Sequence, residues 1–293
     1  MTIALRRFYS SFTASRATVL VLAAASVPCA VLSATAGSKA PEKGDDQAPI
    51  SPSQASIVRL VFPPPRFERV TIQGYRYTLI RGGRVRTAFG PLNRSVASWV
   101  KMVDGIGGLN GTFFDARNNI VGPALSGSGK RYAPSHLYVN LKCSGRPIVL
   151  LGTKSLRIMP FEPDMGTSIK VLRSLVPDVQ DAFVGGGWLV RNGKVSDVPT
   201  IRHTFVSTAM DFRPRAAVGV DAAGRMLLFA TREEVSSFRF AEAMAKVGAV
   251  QGVLLDSGLS TCLMWKGRAA AAVSTGNPPR IRPVPHAFIV FSK

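Results

Sequence analysis

"AAVGVDAAGRMLLFAT", residues 216–231, decides how the chain is read. Two short apolar runs flank a polar tip, "DAAG", at residues 221–224. Runs this short suit strands rather than helices, and Asp and Gly are residues that tight turns select. The segment is a β-hairpin. Beyond it, "FRFAEAMAKVG" (238–248) spaces Phe240, Met244 and Val247 at helical intervals, with Gly248 as a stop. "VQGVLLD" (250–256) then runs as a buried strand ending on Asp256, and the last strand lies near "HAFIVFS" (286–292). Upstream, "AFVGGGWLVRNGKV" (182–195), "PIVLL" (147–151) and "HLYVNL" (136–141) read as strands. "RSVASWVKMVDG" (94–105) is a short helix, and "VTIQGYRYTLI" (70–80) alternates before a turn at Gly82 and Gly83. Strands and helices are interspersed without regular βα alternation. The pattern predicts an α+β fold, a mixed β-sheet core with flanking helices, in a single domain over residues 57–293.

Bulk properties agree with a real core. The chain has 293 residues, 46% of them apolar, with 27 glycines and 20 prolines to punctuate short strands. The formal net charge is +20. Three of the arginines, Arg6, Arg7 and Arg16, precede position 37, so the body without them is still at +17. A field of this size points to an anionic partner and does not say which. No dense Lys/Arg run, zinc-finger spacing or aromatic-basic RNA-binding signature is present, which argues against nucleic acid.

The amino terminus places the protein. After the three arginines comes an uncharged span with the apolar run "TVLVLAAASV" and a small-residue site, "ATA", at residues 34–36. That is the layout of a signal peptide over 1–36 and predicts export to the periplasm or beyond. The alternative is an uncleaved span, the one route to a membrane. Residues 37–56, "GSKAPEKGDDQAPISPSQAS", read as a flexible linker. Cys143 and Cys262 remain in the mature chain, either as a disulfide or as two free buried thiols. No Cys/His metal spacing occurs, and the sequence calls for no cofactor and no metal.

Four segments place glycine or another small residue beside a polar group at a strand end. They are "NGTFFD" (110–115), "VGGGWLVRNGKV" (184–195), "RAAVGVD" (215–221) and "LLDSGLSTCLMWKG" (254–267). Small residues there let a ligand approach the backbone. In this order the four resemble the phosphodiester glycosidase family. Its pattern runs roughly N-G-[GT]-F-F, G-G-P-x-L-[VI]-x-[ND]-G, R-[TV]-A-V-G and N-L-D-G-G-x-S-[ST]. The resemblance extends over about residues 70–292. Trp188 stands where the family has Pro, and Leu254 where it has Asn. Ala216 replaces Thr or Val. Ser257 and Leu259 replace Gly and a small residue, and Leu259 narrows a sugar pocket on this reading.

The resemblance implies hydrolysis of a sugar–phosphate glycosidic bond in a phosphodiester of an envelope or extracellular glycan. Glycosidases typically use two carboxylates. Asp256, at a strand end inside a glycine/serine loop, is the first candidate; its other role is a turn aspartate bonded to the following backbone. Asp115 is the second, or else a solvated loop residue. Arg215 offers a two-pronged donor for phosphate, or pairs with Asp211 at a sheet edge. Asn110 and Gly111, Gly186, and the loop residues Ser257, Gly258, Ser260 and Thr261 complete the candidate substrate contacts. Phe113 and Phe114 anchor their stretch while Asn110 faces the pocket. His136, His203 and His286 are scattered and form no triad. The rival reading is a non-catalytic exported module that holds anionic polysaccharide on its basic surface.

Overall fold

The computed structural model describes residues 56–133, 141–163, 168–198, 200 and 211–292. The signal-peptide assignment, nearly all of the linker, His136, His203 and most of "HLYVNL" lie outside the described residues.

In chain order, β1 (Val58–Arg59) precedes a hairpin of β2 (Arg66–Ile72) and β3 (Tyr75–Arg81). The turn between them is Gln73–Gly74, both left-handed with φ of 50° and 82°, as a two-residue hairpin requires. Gly82 and Gly83 then lead into β4 (Arg84–Arg94). Helix α1 (Val96–Met102) starts where the Ser95 hydroxyl accepts the Ser98 N–H at 3.1 Å. Next come β5 (Gly107–Asn110), β6 (Ala124–Ser126), β7 (Pro147–Gly152) and β8 (Ser155–Pro160). Helix α2 (Ile169–Leu175) is followed by β9 (Val179–Val184), β10 (Gly187–Arg191) and β11 (Lys194–Val195). The "DAAG" hairpin is β12 (Arg213–Asp221) with β13 (Met226–Val235). Asp221 builds its tip by accepting the Ala223 and Arg225 N–H groups, each at 3.0 Å. Helix α3 (Ser237–Lys246) and β14 (Ala249–Leu254) follow as expected. The chain closes with β15 (Cys262–Trp265), β16 (Arg268–Ala272), β17 (Ser274–Thr275), β18 (Arg280–Ile281) and β19 (Val284–Phe291).

Three main sheets result. Their strand orders are β1-β8-β7-β9-β6, β11-β10-β14-β12-β13-β3-β2 and β16-β15-β5-β19-β4. One central core joins them: Ile80 and Val218 from the seven-stranded sheet, Leu109 and Phe288 from the β5 sheet, Val149 and Phe183 from the β7 sheet. Among the described residues, each outer face packs against a short helix. Phe240 and Met244 of α3 cover the seven-stranded sheet, Leu172 of α2 covers the β7 sheet, and Val96 and Trp99 of α1 cover the β5 sheet.

The α+β expectation of a mixed sheet is therefore corrected. Every strand pair among the described residues is antiparallel, and strands dominate three short helices. Absence of βα alternation was compatible with either class. The deciding feature is the short turns, since hairpin connections fit only antiparallel neighbours.

Candidate active site

Strand pairing brings the motif segments together. Leu254 at the end of β14 lies opposite Ala217 of β12 on one side and Gly187 of β10 on the other. The Leu255 N–H donates to the Ala216 carbonyl at 2.9 Å, so the chain reaches Asp256 alongside Arg215. The Asp256 N–H then crosses to the neighbouring sheet and donates to the Gly111 carbonyl at 3.1 Å. "RAAVGVD", "LLDSGLS", "NGTFFD" and the glycines of β10 thus share one end of the molecule.

Asn110 is buried completely. Its Nδ2 donates to the Asp256 carbonyl at 2.7 Å, and its Oδ1 accepts the Cys262 N–H at 3.0 Å. Its amide is occupied by the backbone, and it clamps both ends of the loop that carries Asp256. Gly111 does not make a left-handed turn. A Cβ there would lie 2.3 Å from the His286 ring, so its role is to let that ring pass. His286 packs against Phe89 with centroids 4.3 Å apart, and its Nδ1 accepts the Thr112 N–H at 3.0 Å. Burial pushes its pKa down to about 3, so the ring is neutral with its proton on Nε2. Gly186 plays the same part for Phe113, whose ring would sit 2.3 Å from an added Cβ.

The loop after β14 forms a 3-10 turn at Gly258–Ser260. Asp256 is half-buried, and its Oδ1 accepts the Ser257 N–H at 2.9 Å. Burial pushes its pKa up. The Ser260 hydroxyl, the Ser257 N–H and the charges of Arg282 and Arg213 pull it down without cancelling that effect. Arg282 donates from Nη1 to the Ser260 hydroxyl at 3.3 Å, and its guanidinium lies 4.5 Å from the centre of the Phe114 ring. Arg213 approaches from β12: its side chain comes within 3.9 Å of where a Gly258 Cβ would be. It also pairs with Asp211 at 2.6 Å. The Ser257 hydroxyl donates to the Leu255 carbonyl at 3.0 Å, and Thr261 is buried behind the turn.

Other candidates are placed differently. Arg215 is buried, with Nε donating to the Val235 carbonyl at 3.1 Å and Nη2 to the Asp211 carbonyl. Burial, and then the neighbouring Arg213 charge, lower its pKa to about 10. It fastens the start of β12 to the end of β13. Asp115 accepts the N–H groups of Arg117 and Asn119 at 2.8 and 2.9 Å and the Asn119 amide at 3.1 Å. Burial raises its pKa, but these bonds outweigh it and hold the carboxyl below the usual range. Its oxygens organise their own turn. Leu259 is 53% exposed, at the surface of the loop. Cys143 and Cys262 are free and buried.

Arg282, Arg213 and Phe114 lie around the Asp256 loop and were passed over by sequence reasoning. Arg282 sits among prolines in "PPRIRPVP" (278–285), which carries no motif. Arg213 lies two positions before the recognised arginine, and that offset was the available signal. Phe114 had been given a purely structural role.

A structural comparison gives the same architecture in three solved proteins. The zebrafish N-acetylglucosamine-1-phosphodiester alpha-N-acetylglucosaminidase catalytic domain, auto-inhibited by its pro-peptide, superposes with a TM-score of 0.65 at 15% identity, covering 82% of this chain and 88% of that one. A candidate exported protein of Burkholderia pseudomallei gives 0.54 at 13% identity, with 74% of each chain covered. A hypothetical protein from Synechocystis gives 0.52 at 15%, covering 78% of this chain and 62% of that one. At these identities the likeness concerns the fold. No curated protein matches the sequence significantly. The family model for phosphodiester glycosidases, however, matches residues 105–291, a span that holds every one of the four motifs and the whole Asp256 loop. The chain belongs to the phosphodiester glycosidase family.

Proposed function

We propose that the protein hydrolyses the bond between a sugar and phosphate in a phosphodiester of an envelope or extracellular glycan, and that Asp256 carries the chemistry. The observation behind this is a single one. A half-buried carboxylate of raised pKa stands in a loop pinned at both ends by Asn110, with Arg282 and Arg213 acting on its charge. A phosphate monoester is a good leaving group, so the site needs a base and cations more than a strong acid. On this reading Asp256 accepts a proton from water as the water oxygen bonds to the anomeric carbon. The carbon–oxygen bond to phosphate breaks, and its electron pair stays on the phosphate oxygen. Arg282 and Arg213 meet that developing charge, in the place first assigned to Arg215. Asp115 stays outside the reaction because its own turn consumes it. The extracellular setting rests on the sequence of residues 1–36 and the +20 charge.

The test is hydrolysis of a sugar 1-phosphodiester by wild type and Asp256→Asn. Asn keeps the shape and the Ser257 N–H contact but loses basicity. The expected result is loss of turnover by at least about a hundredfold with an unchanged melting temperature. A wild type that turns over no such substrate yet binds anionic glycan would replace this reading with the binding module. Unchanged turnover in Asp256→Asn would remove Asp256 from the chemistry.

A further inference from the structure

We infer that a polar cleft between β4, β6 and β9 is a second ligand site, which takes one acidic sugar unit, a ring of hydroxyls bearing a carboxylate or phosphate. The cavity has a volume of about 360 Å³, within the size of a small-molecule pocket. Arg84, Arg86 and Thr87 line it from β4, Ser126 from β6, Gln180 and Asp181 from β9. It shares no lining residue with the Asp256 loop, and the inference does not depend on the hydrolase reading.

Two features mark the cleft as built for a ligand. Asp181 is half-buried, and among the described residues Thr87 alone supplies its donors: the N–H at a long 3.4 Å, and the hydroxyl, which also pulls on the carboxyl. No ion pair among the described residues reaches it, although Arg86 acts on its charge. A carboxylate withdrawn from water and left short of donors is unfavourable until something supplies them. Burial accordingly raises the Asp181 pKa to about 6, against the weaker pull of Thr87 and Arg86. The second feature is the pair of arginines, whose forks call for oxyanions.

These demands select a ligand. Hydroxyl donors satisfy Asp181, and an anionic group satisfies Arg84 and Arg86. A neutral sugar leaves Arg84 without an oxyanion and Arg86 with only the Phe291 ring, whose centre lies 5.7 Å from its guanidinium. Inorganic phosphate leaves Asp181 without donors and is repelled by it. Among the described residues no aromatic ring lines the cleft, so recognition is by hydrogen bonds and charge rather than stacking. A uronate and a phosphorylated sugar both meet the requirement.

The test is calorimetric titration of the full chain with glucuronate, glucose 6-phosphate, glucose and inorganic phosphate. At least one of the two acidic sugars should bind about tenfold more tightly than glucose and than phosphate. The tighter one identifies the anion. In Asp181→Ala the acidic sugar should weaken about tenfold while phosphate is unaffected or strengthens, since a repulsive charge has gone. Arg84→Gln/Arg86→Gln should abolish the preference over glucose. Asp256→Asn should leave all of these affinities alone, which separates the cleft from the hydrolase site. Asp181→Asn, closer in shape, replaces the alanine variant if the latter melts early. Equal affinity for phosphate and the acidic sugars, or acidic-sugar binding that ignores Asp181, would overturn the inference.

Discussion

Asn110 holds Asp256 through its main chain. One amide donates to the Asp256 carbonyl at 2.7 Å and accepts the Cys262 N–H at 3.0 Å, so a single side chain spans the loop that carries the carboxylate. Asn110→Ala leaves two backbone groups unpaired. Each such loss costs about 1–3 kcal/mol, so Tm should fall by roughly 10 °C and turnover should fall with it. Asn110→Asp keeps the acceptor but not the donor, and should be intermediate when measured by melting. A variant that loses activity at unchanged Tm would make Asn110 a direct substrate contact instead.

The arginines divide by burial. Arg215 is buried and donates to the carbonyls of Val235 and Asp211, while Arg282 is exposed beside Ser260. Arg215→Lys should therefore lower Tm through lost carbonyl bonds and barely change KM. Arg282→Gln should leave Tm within about 2 °C, as exposed substitutions do, and reduce kcat/KM about tenfold or more. Comparing both variants by melting and by steady-state kinetics checks the assignment. The opposite pairing would return the phosphate to Arg215.

Gly111→Ala tests the close approach of His286. The added carbon would lie 2.3 Å from the ring and 2.8 Å from the His286 carbonyl carbon. Overpacking of this kind costs about 1–3 kcal/mol or more. Combining it with His286→Ala removes only the ring, so the double variant should remain less stable than His286→Ala alone. Full rescue would show that the ring was the sole obstacle.

What the sequence made legible follows from how local each cause is. The "DAAG" hairpin, helix α3 with its Gly248 stop, and the clustering of motifs at strand ends are written in neighbouring residues. The all-antiparallel character was misread although part of it is local: β2/β3, β7/β8 and β12/β13 are neighbours joined by short turns, while pairs such as β12/β14 and β5/β19 are set by segments far apart in sequence. Asn110 and Phe114 exchanged expected parts for the same reason. The amide's partners, Asp256 and Cys262, lie about 150 positions away, and the Phe114 ring meets Arg282 from the last part of the chain. Asp115 shows the reverse limit: an aspartate within its own turn looks identical in sequence to one that serves a pocket.

The Asp181 carboxyl gives a prediction with a definite sign. Its pKa in the folded protein is raised to about 6 from an ordinary 3.8, chiefly by burial. A group raised on folding stabilises the protein in its protonated form. That contribution is complete below 3.8 and is lost as pH rises through about 6. Asp115, Asp178 and Asp221 run the other way, since donors hold their carboxyls below the ordinary range. Their stabilisation is present at neutral pH and is lost in acid. Wild-type stability at any one pH therefore mixes both signs, and a difference between two proteins isolates one. Asp181→Asn cannot ionise. Relative to wild type it should gain stability between pH 4.5 and pH 7.5 by about 1 kcal/mol, discounted for the partial exposure of the site. That corresponds to a Tm difference growing by roughly 2–4 °C. Melting both proteins across this range measures it. A difference that stays flat with pH would mean that Asp181 ionises in the fold as readily as in the unfolded chain, and that the cleft already supplies the donors it lacks.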